Sequence, residues 1–209
     1  KMSENLTQKM YENFAQKNID FFVMYGQTEC SPRMSYLNVN QFPEKIGSIG
    51  REIKTGRFIL KTVDTSGEIP IKELIYRGPN VGLGYAKSWH DLAKDDEWKG
   101  QVNTGDLAIV DADGFYYITG RLKRICKISG IRLDLDECQK QLRLKFDYDE
   151  IFVVSNDKKL GIFSTSEIES KKLKAFVQRK YNVIPSQIKF ILVEEFPKNN
   201  GKVSFHDLE

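Results

Sequence analysis

A lysine near the end of this chain follows a short polar loop that contains a glycine. The segment PKNNGK (residues 197–202) ends on Lys202. A lysine held at a fixed point can stabilise negative charge that develops in a transition state. Most loop lysines are simply solvated, and composition alone favours that interpretation for Lys202. Lys198, earlier in the same loop, fits a solvated neighbour.

The segment YGQTE (residues 25–29) follows an apolar stretch that predicts a buried strand. Ligands commonly bind at the ends of strands in α/β sheets. Tyr25 can stack on a base, and Thr28 can donate a hydrogen bond to a phosphate oxygen. Glu29 can hold Mg²⁺ directly or through water. The alternative is an ordinary turn with a core tyrosine and a solvated glutamate, and the segment alone favours it.

A second carboxylate, Asp106, follows a Thr-Gly turn in NTGDL, and one hairpin later GRLKR supplies Arg121. A carboxylate can accept hydrogen bonds from both hydroxyls of a ribose, and an arginine can assist on a neighbouring oxygen. Taken singly, such residues are more often turn and surface residues. The two positions therefore remain candidates that other segments must support.

The segment KISGIRLDLDE places Gly130 in a tight loop, which we predict to lie between a strand and the start of a helix. Asp134 or Asp136 is available to cap that helix. The simplest interpretation is a turn followed by an N-cap.

Other glycine patterns do not fit a nucleotide loop. The stretch GPNVGLGYAKS has neither the spacing of a phosphate-binding loop nor that of a dinucleotide fingerprint, and PKNNGK lacks a Ser or Thr directly after its lysine. The segment DADG is too short for a calcium loop and predicts a hairpin turn.

Hydrophobic periodicity divides the chain into three parts. A helix over residues 4–17 feeds a short buried strand that ends at Gly26. Residues 46–119 predict short strands split by turns, as in a small twisted sheet or a half-barrel. After Gly120, the strand-like segments alternate with helices over 134–145 and 167–181. We expect the join near GRLKR, where the hairpin pattern stops.

The composition excludes several classes of protein. The 209 residues are 40% hydrophobic and 29% charged, which is ordinary for a globular protein. No apolar run is long enough to span a membrane, and the first residues lack an apolar signal core, which favours a cytoplasmic protein. A net charge of +3 with interspersed signs does not favour nucleic acid as the partner. The three cysteines fit free thiols better than disulfides or a zinc site; they are Cys30, Cys126 and Cys138.

The order and spacing of these segments resemble the adenylate-forming superfamily of acyl-CoA synthetases, peptide-synthetase adenylation domains and luciferase. That family has a YGxTE segment, a GELxxRGPNVxxGY segment, TGD, GRxxxxxKxxGxRIxxxE and a terminal PKxxxGK. This chain has, in the same order, YGQTE, KELIYRGPNVGLGYA, TGD, GRLKRICKISGIRLDLDE and PKNNGK. Each motif is weak alone, but five in order over nearly the whole chain make a strong resemblance.

The resemblance implies a fold of mixed α/β and α+β class. Residues 1–45 would be a remnant of the large adenylating domain, 46–120 a β-rich subdomain, and 121–209 a small, mobile C-terminal α/β domain. The hinge between the large and small domains would lie at Lys123.

The resemblance also implies roles for individual residues, with ATP or AMP and Mg²⁺ as ligands. Tyr25 would stack on adenine, and Thr28 would contact the α-phosphate. Glu29 would bind Mg²⁺. Asp106 would hold the ribose hydroxyls, and Arg121 would support the ribose or a phosphate.

Two further positions concern the two half-reactions that the resemblance implies, which are formation of an acyl-adenylate and then transfer of the acyl group to an acceptor. Lys202 would bridge the carboxylate substrate and the α-phosphate during adenylation. Gly130 would lie on the loop that faces the pantetheine channel. The acceptor is left open by the sequence: coenzyme A, the phosphopantetheine of a carrier protein, or no thiol at all.

The family's phosphate loop, rich in serine, threonine and glycine, lies well N-terminal to YGxTE, and this sequence does not contain it. Either these 209 residues are the C-terminal portion of a longer ATP-dependent ligase, which we expect, or the rest of the enzyme is a separate chain. In both cases we expect the 209 residues to be inactive alone. The main alternative is a non-catalytic module that binds a nucleotide or a carrier protein.

Overall fold

The computed structural model describes residues 4–66, 69–199 and 202–204, with the backbone only for Val39, Asn199 and Lys202. The chain divides into two units, residues 1–119 and 120–209. The first begins with helix α1 (Glu4–Gln16). A three-stranded antiparallel sheet follows, in the order β1 (Val23–Tyr25), β2 (Ser35–Leu37) and β3 (Arg51–Glu52).

A second sheet of the first unit is a four-stranded meander. Its strands lie in chain order and are β4 (Arg57–Asp64), β5 (Ile71–Arg77), β6 (Gln101–Val110) and β7 (Tyr116–Arg121). Apolar side chains from this sheet share a buried core with residues near the end of β1, including Cys30 and Met34. The shared core fixes the YGQTE segment against the meander.

The second unit is a smaller α/β arrangement. It contains the hairpin of β8 (Ile125–Ile128) and β9 (Ile131–Asp134), helix α2 (Leu135–Phe146), β10 (Ile151–Ser155), β11 (Leu160–Ser164), helix α3 (Ser170–Tyr181) and β12 (Ile188–Leu192). Strand β11 pairs antiparallel with β10 and parallel with β12, so α3 forms the crossover. A final hairpin joins β13 (Lys198–Asn199) to β14 (Lys202–Val203).

Arg124 organises the beginning of the second unit. Its guanidinium is largely buried; Nε donates to Asp136 Oδ1 at 2.8 Å, and Nη1 donates to the carbonyl oxygen of Val153 at 2.7 Å. A buried charge is tolerated when it is paired and hydrogen-bonded. Arg124 therefore ties the short 3₁₀ turn Leu122–Arg124 to both α2 and β10.

The mixed α/β and α+β fold class is confirmed, and most elements lie where the periodicity predicts them. Three differences stand out. Strand β2 was not predicted, and β6 begins at Gln101, well before the apolar LAIV segment. Gly130 was predicted to lie between a strand and a helix, but it lies at the tip of the β8–β9 hairpin, and α2 starts only at Leu135. The assignment of residues 1–45 and 46–120 to separate parts of a larger enzyme remains a prediction.

The three cysteines are buried and free. Burial raises the pKa of the Cys138 thiol to about 12, from an ordinary value of 9.0. No helix among the described residues is long and apolar enough to cross a membrane.

The buried Cys138 thiol predicts a loss of stability at alkaline pH. The unfolded thiol ionises first as the pH rises, so the unfolded state binds fewer protons and the free energy of unfolding falls between about pH 9 and 12. The expected contribution is about 1.4 kcal/mol per pH unit in that window. Chemical denaturation at pH 8, 9 and 10 measures the free energy of unfolding. This free energy should fall less steeply with pH for Cys138→Ala than for the wild type. Equal slopes would contradict this assignment.

Candidate functional site

The YGQTE segment forms a sharp turn at the end of β1. Residues Thr28–Cys30 make one 3₁₀ turn, and the amide of Met34 then donates back to the carbonyl oxygen of Tyr25 at 3.0 Å. A Cβ atom on Gly26 would lie 1.5 Å from the carbonyl oxygen of Pro32, so only glycine fits there. The doubled-back chain leaves Thr28 exposed and Glu29 partly exposed.

The TGD segment (residues 104–106) lies inside β6, at an irregularity of its pairing with β5. The Thr104 hydroxyl donates to the carbonyl oxygen of Leu74 at 2.7 Å and accepts from the amide of Asp106 at 3.0 Å. Gly105 donates its amide to the buried carboxylate of Glu73. Such irregularities re-aim a side chain out of the regular ladder. The prediction of a Thr-Gly turn before Asp106 is therefore refined to a bulge within a long strand.

A hydrogen bond joins these two segments. The hydroxyl of Tyr25 donates to Oδ2 of Asp106 at 2.6 Å, across 81 positions of sequence. Asp106 is almost completely buried, and the Tyr25 ring packs on the apolar core that contains Phe58. Hydrogen bonds to an ionised acceptor are among the stronger ones in proteins. The structure thus brings together two predicted site residues that are distant in the sequence.

Glu29 is the candidate metal ligand. Its carboxylate accepts a hydrogen bond from the Tyr85 hydroxyl, and this bond is the main reason that the pKa of the Glu29 carboxyl is lowered. No cluster of three or more metal-binding side chains occurs within the described residues. A single ionised carboxylate does not make a self-standing metal site. It does fit Mg²⁺ that arrives with nucleotide phosphates, since such sites commonly use one or two carboxylates.

The remaining predicted site residues lie where the second unit begins, at the end of β7, and within that unit. Arg121 is exposed at the end of β7, and Lys123 is exposed in the next 3₁₀ turn. Gly130 is exposed, with a φ of +82° that suits glycine. Of the two predicted helix caps, Asp134 has that role: its carboxylate accepts from the amides of residues 136 and 137. Asp136 instead pairs with Arg124.

Lys202 lies on β14, where its backbone pairs with that of Asn199 across the terminal hairpin. Its side chain lies outside the described residues, as do residues 200 and 201. The hairpin is anchored on the β10–β12 sheet by Phe196, which is buried, and by Val203. Phe196 contacts the Phe152 ring with centroids 4.4 Å apart.

The loop GPNVGLGY (residues 78–85) carries one of the family motifs, but no role was predicted for it. The structure shows that this loop holds the YGQTE turn. The side-chain amide of Asn80 donates to the carbonyl oxygens of Cys30 and Arg33, at 2.6 and 2.8 Å. The only sequence signal was the family motif itself, because partners 50 positions apart leave no local pattern.

Relatives of similar sequence include acid–CoA ligases. No protein-family model matches the chain. It is 31% identical to a long-chain-fatty-acid–CoA ligase of Salmonella typhimurium, over 88% of this chain and 34% of that ligase. It is 26% identical to a 4-coumarate–CoA ligase of Pinus taeda, over 88% of this chain and 37% of that ligase. The chain thus spans little more than a third of the length of these relatives.

Solved structures agree on the fold. The o-succinylbenzoate CoA synthetase of Bacillus subtilis, in complex with an acyl-adenylate intermediate, matches with a TM-score of 0.67 at 20% identity, over 96% of this chain and 43% of that one. The same synthetase in complex with ATP and magnesium ion matches with a TM-score of 0.60 at 19% identity, over 92% of this chain and 42% of that one.

The fold and the relatives agree with the resemblance that the motifs carry. Over most of its length, this chain resembles the adenylate-forming superfamily, as its five ordered motifs predict, and it corresponds to a part of those enzymes. Within that superfamily, the relatives described above are acid–CoA ligases.

Proposed function

We propose that this chain is the C-terminal portion of an ATP-dependent ligase that activates a small-molecule carboxylate. The carboxylate oxygen attacks the α-phosphorus of ATP, a P–O bond to pyrophosphate breaks, and an acyl-adenylate forms. A thiol then attacks the acyl carbon, AMP leaves and a thioester remains. The observation that carries the proposal is the hydrogen bond between Tyr25 and Asp106, because it unites two family motifs at one place.

The nucleotide end of the site follows from that pair. We assign to Asp106 the ribose hydroxyls, since a carboxylate can accept hydrogen bonds from both. The Tyr25 hydroxyl would orient that carboxylate, and the tyrosine ring would stack on adenine. Thr28 is exposed on the following turn and would donate to the α-phosphate. Arg121 would support the ribose or a phosphate.

The charged groups act on the reacting centre. Mg²⁺, held by Glu29 together with the nucleotide phosphates, would neutralise part of the phosphate charge. Lys202 would lie between the substrate carboxylate and the α-phosphate, where two anions meet. A cation there stabilises the transition state more than the separated reactants, so it raises the rate of the chemical step.

The acceptor and the location are finer proposals. We assign the thiol to coenzyme A, because the relatives described above are acid–CoA ligases, with the phosphopantetheine of a carrier protein as the second candidate. Lys123 would act as the hinge that exposes the Gly130 hairpin to the pantetheine channel. A cytoplasmic location fits the three free, buried thiols, which persist in a reducing compartment.

The test is acid-dependent exchange of labelled pyrophosphate into ATP by the full-length protein that contains this chain. The acids are a long-chain fatty acid, 4-coumarate and o-succinylbenzoate, after the relatives described above, and anthranilate, after a solved anthranilate CoA ligase of similar fold. Exchange with any of them supports the proposal. The alternative, a non-catalytic module that binds a nucleotide or a carrier protein, predicts binding of AMP or of a carrier protein by calorimetry with no exchange for every acid, and that result would overturn the proposal.

The Tyr25→Phe variant tests the nucleotide end separately. The change removes one hydroxyl and its hydrogen bond to Asp106, which should weaken AMP binding by about 1 to 2 kcal/mol, roughly tenfold in Kd. Calorimetric titration with AMP measures the effect. Tyr36→Phe is the matched control, because Tyr36 is an exposed tyrosine on the adjacent strand β2. Equal losses in both variants would contradict the role of the Tyr25 hydroxyl.

A further inference from the structure

The loop GPNVGLGY surrounds the turn that carries Glu29. Besides its contacts with Cys30 and Arg33, the Asn80 side chain accepts a hydrogen bond from the buried Tyr76 hydroxyl at 2.9 Å. Asn80 is therefore fixed on the meander and in turn fixes the backbone of the turn. This part of the loop sets where the turn lies, and it leaves the Glu29 side chain to other contacts.

Glu29 itself is held at two points by the same loop. The amide of Gly82 donates to the Glu29 carbonyl oxygen at 2.8 Å, and the Tyr85 hydroxyl donates to carboxylate Oε1. The first contact fixes the backbone of Glu29. The second selects one direction for a side chain with three rotatable bonds.

Tyr85 is mostly exposed, yet its ring has a support. It lies edge-on to the Trp98 ring, with centroids 4.9 Å apart and planes at 87°. The amide of Glu97 donates to the carbonyl oxygen of Leu83 at 2.8 Å, which closes the segment between the two rings. A supported ring can hold its hydroxyl at a fixed place, because the entropy cost of orienting it is already met by packing.

We propose that Tyr85 is a positioning residue for Glu29, and that it sets the affinity of the site for Mg²⁺ bound to nucleotide. The inference rests on the proposed function, in which Glu29 holds the metal. Mg²⁺ demands near-ideal octahedral geometry, so a carboxylate held in one orientation binds it better than a freely rotating one. Hydrogen-bond partners of metal ligands commonly contribute 10- to 100-fold in affinity.

The experiment measures nucleotide binding with and without metal in the full-length protein. Tyr85→Phe keeps the ring against Trp98 and removes only the hydroxyl. Calorimetry should show an increase of about tenfold in the Kd for ATP in excess Mg²⁺, at the low end for partners of metal ligands because Tyr85 is exposed. The Kd for ATP in EDTA should not change. Tyr148→Phe, a change of the same size at a tyrosine of the second unit, should alter neither value.

The Glu29→Gln variant separates failure of this inference from failure of the proposed metal role. If Glu29→Gln weakens binding only when Mg²⁺ is present and Tyr85→Phe has no effect, the inference alone is overturned. If Glu29→Gln has no metal-dependent effect, the metal role of Glu29 is wrong and the inference falls with it. Equal weakening with and without Mg²⁺ in Tyr85→Phe would indicate general damage and also overturn it.

The double variant gives the most specific readout. Because Tyr85 acts through Glu29, removal of both groups should cost no more than Glu29→Gln alone. Additive losses would mean that Tyr85 contributes by a separate route, which would contradict a positioning role. Melting temperatures of the wild type, the Tyr85→Phe, Glu29→Gln and Tyr148→Phe variants and the double variant provide the check on folding.

Discussion

Substitution of Lys202 by alanine in the full-length protein should slow acyl-adenylate formation by a hundredfold or more. Loss of one preorganised charge contact to a developing oxyanion costs roughly 3 to 4 kcal/mol in the transition state. Substrate binding should change much less, because the contact strengthens only as the carboxylate reaches the phosphorus. Single-turnover formation of the adenylate measures the step directly.

Lys198→Ala is the matched control for Lys202→Ala. Lys198 is an exposed lysine on the partner strand of the same hairpin, so its removal changes the net charge equally and should leave the rate near that of the wild type. A Lys202→Ala protein that adenylates at the wild-type rate would show that the assigned role is wrong. Equal losses in both variants would point to a nonspecific charge effect.

Substitution of Gly26 by alanine should destabilise the YGQTE turn by about 3 kcal/mol, a value typical of an atom forced into a filled space. The added Cβ would lie 1.5 Å from the Pro32 carbonyl oxygen, and that backbone atom is not the end of a flexible side chain. We expect a lower melting temperature for the full-length protein and a loss of AMP binding, since the segment carries Tyr25 and Thr28, the residues assigned to adenine and the α-phosphate.

Gly130→Ala is the control for Gly26→Ala. A Cβ on Gly130 would meet no atom within 4 Å, so the substitution should cost only the strain of a positive φ, about 1 to 2 kcal/mol. The melting temperature of Gly26→Ala should therefore fall further than that of Gly130→Ala. The reverse order would contradict the close approach of the two chain segments at Pro32.

The sequence predicted those parts of the fold that local patterns determine. Helix α2 has apolar residues at helical spacing and an aspartate cap, and DADG between two apolar runs predicts the turn between β6 and β7. Strand β2 is only three residues long, too short to show the alternation of apolar and polar residues that predicts a strand. It exists because the chain doubles back at Gly26, and that event depends on contacts that are distant in the sequence.

The candidate site shows the same limit. The motifs identified Tyr25 and Asp106 separately, and the resemblance implied a role for each. The hydrogen bond between them depends on how the meander packs against β1. The hydrogen bonds from Asn80 and Tyr85 to the YGQTE turn were not predicted. They join residues about 50 positions apart, and such bonds depend on tertiary packing. Gly130 was correctly placed in a tight turn, but the turn type needed the pairing of β8 with β9.

The central claim is that this chain contributes to the activation of a carboxylate by ATP. Labelled pyrophosphate exchange by the full-length protein tests it most directly, with each of the four acids and with no acid. The account predicts exchange that requires an acid and Mg²⁺, and that falls at least about a hundredfold in Lys202→Ala. Binding of AMP without acid-dependent exchange for all four acids would contradict it.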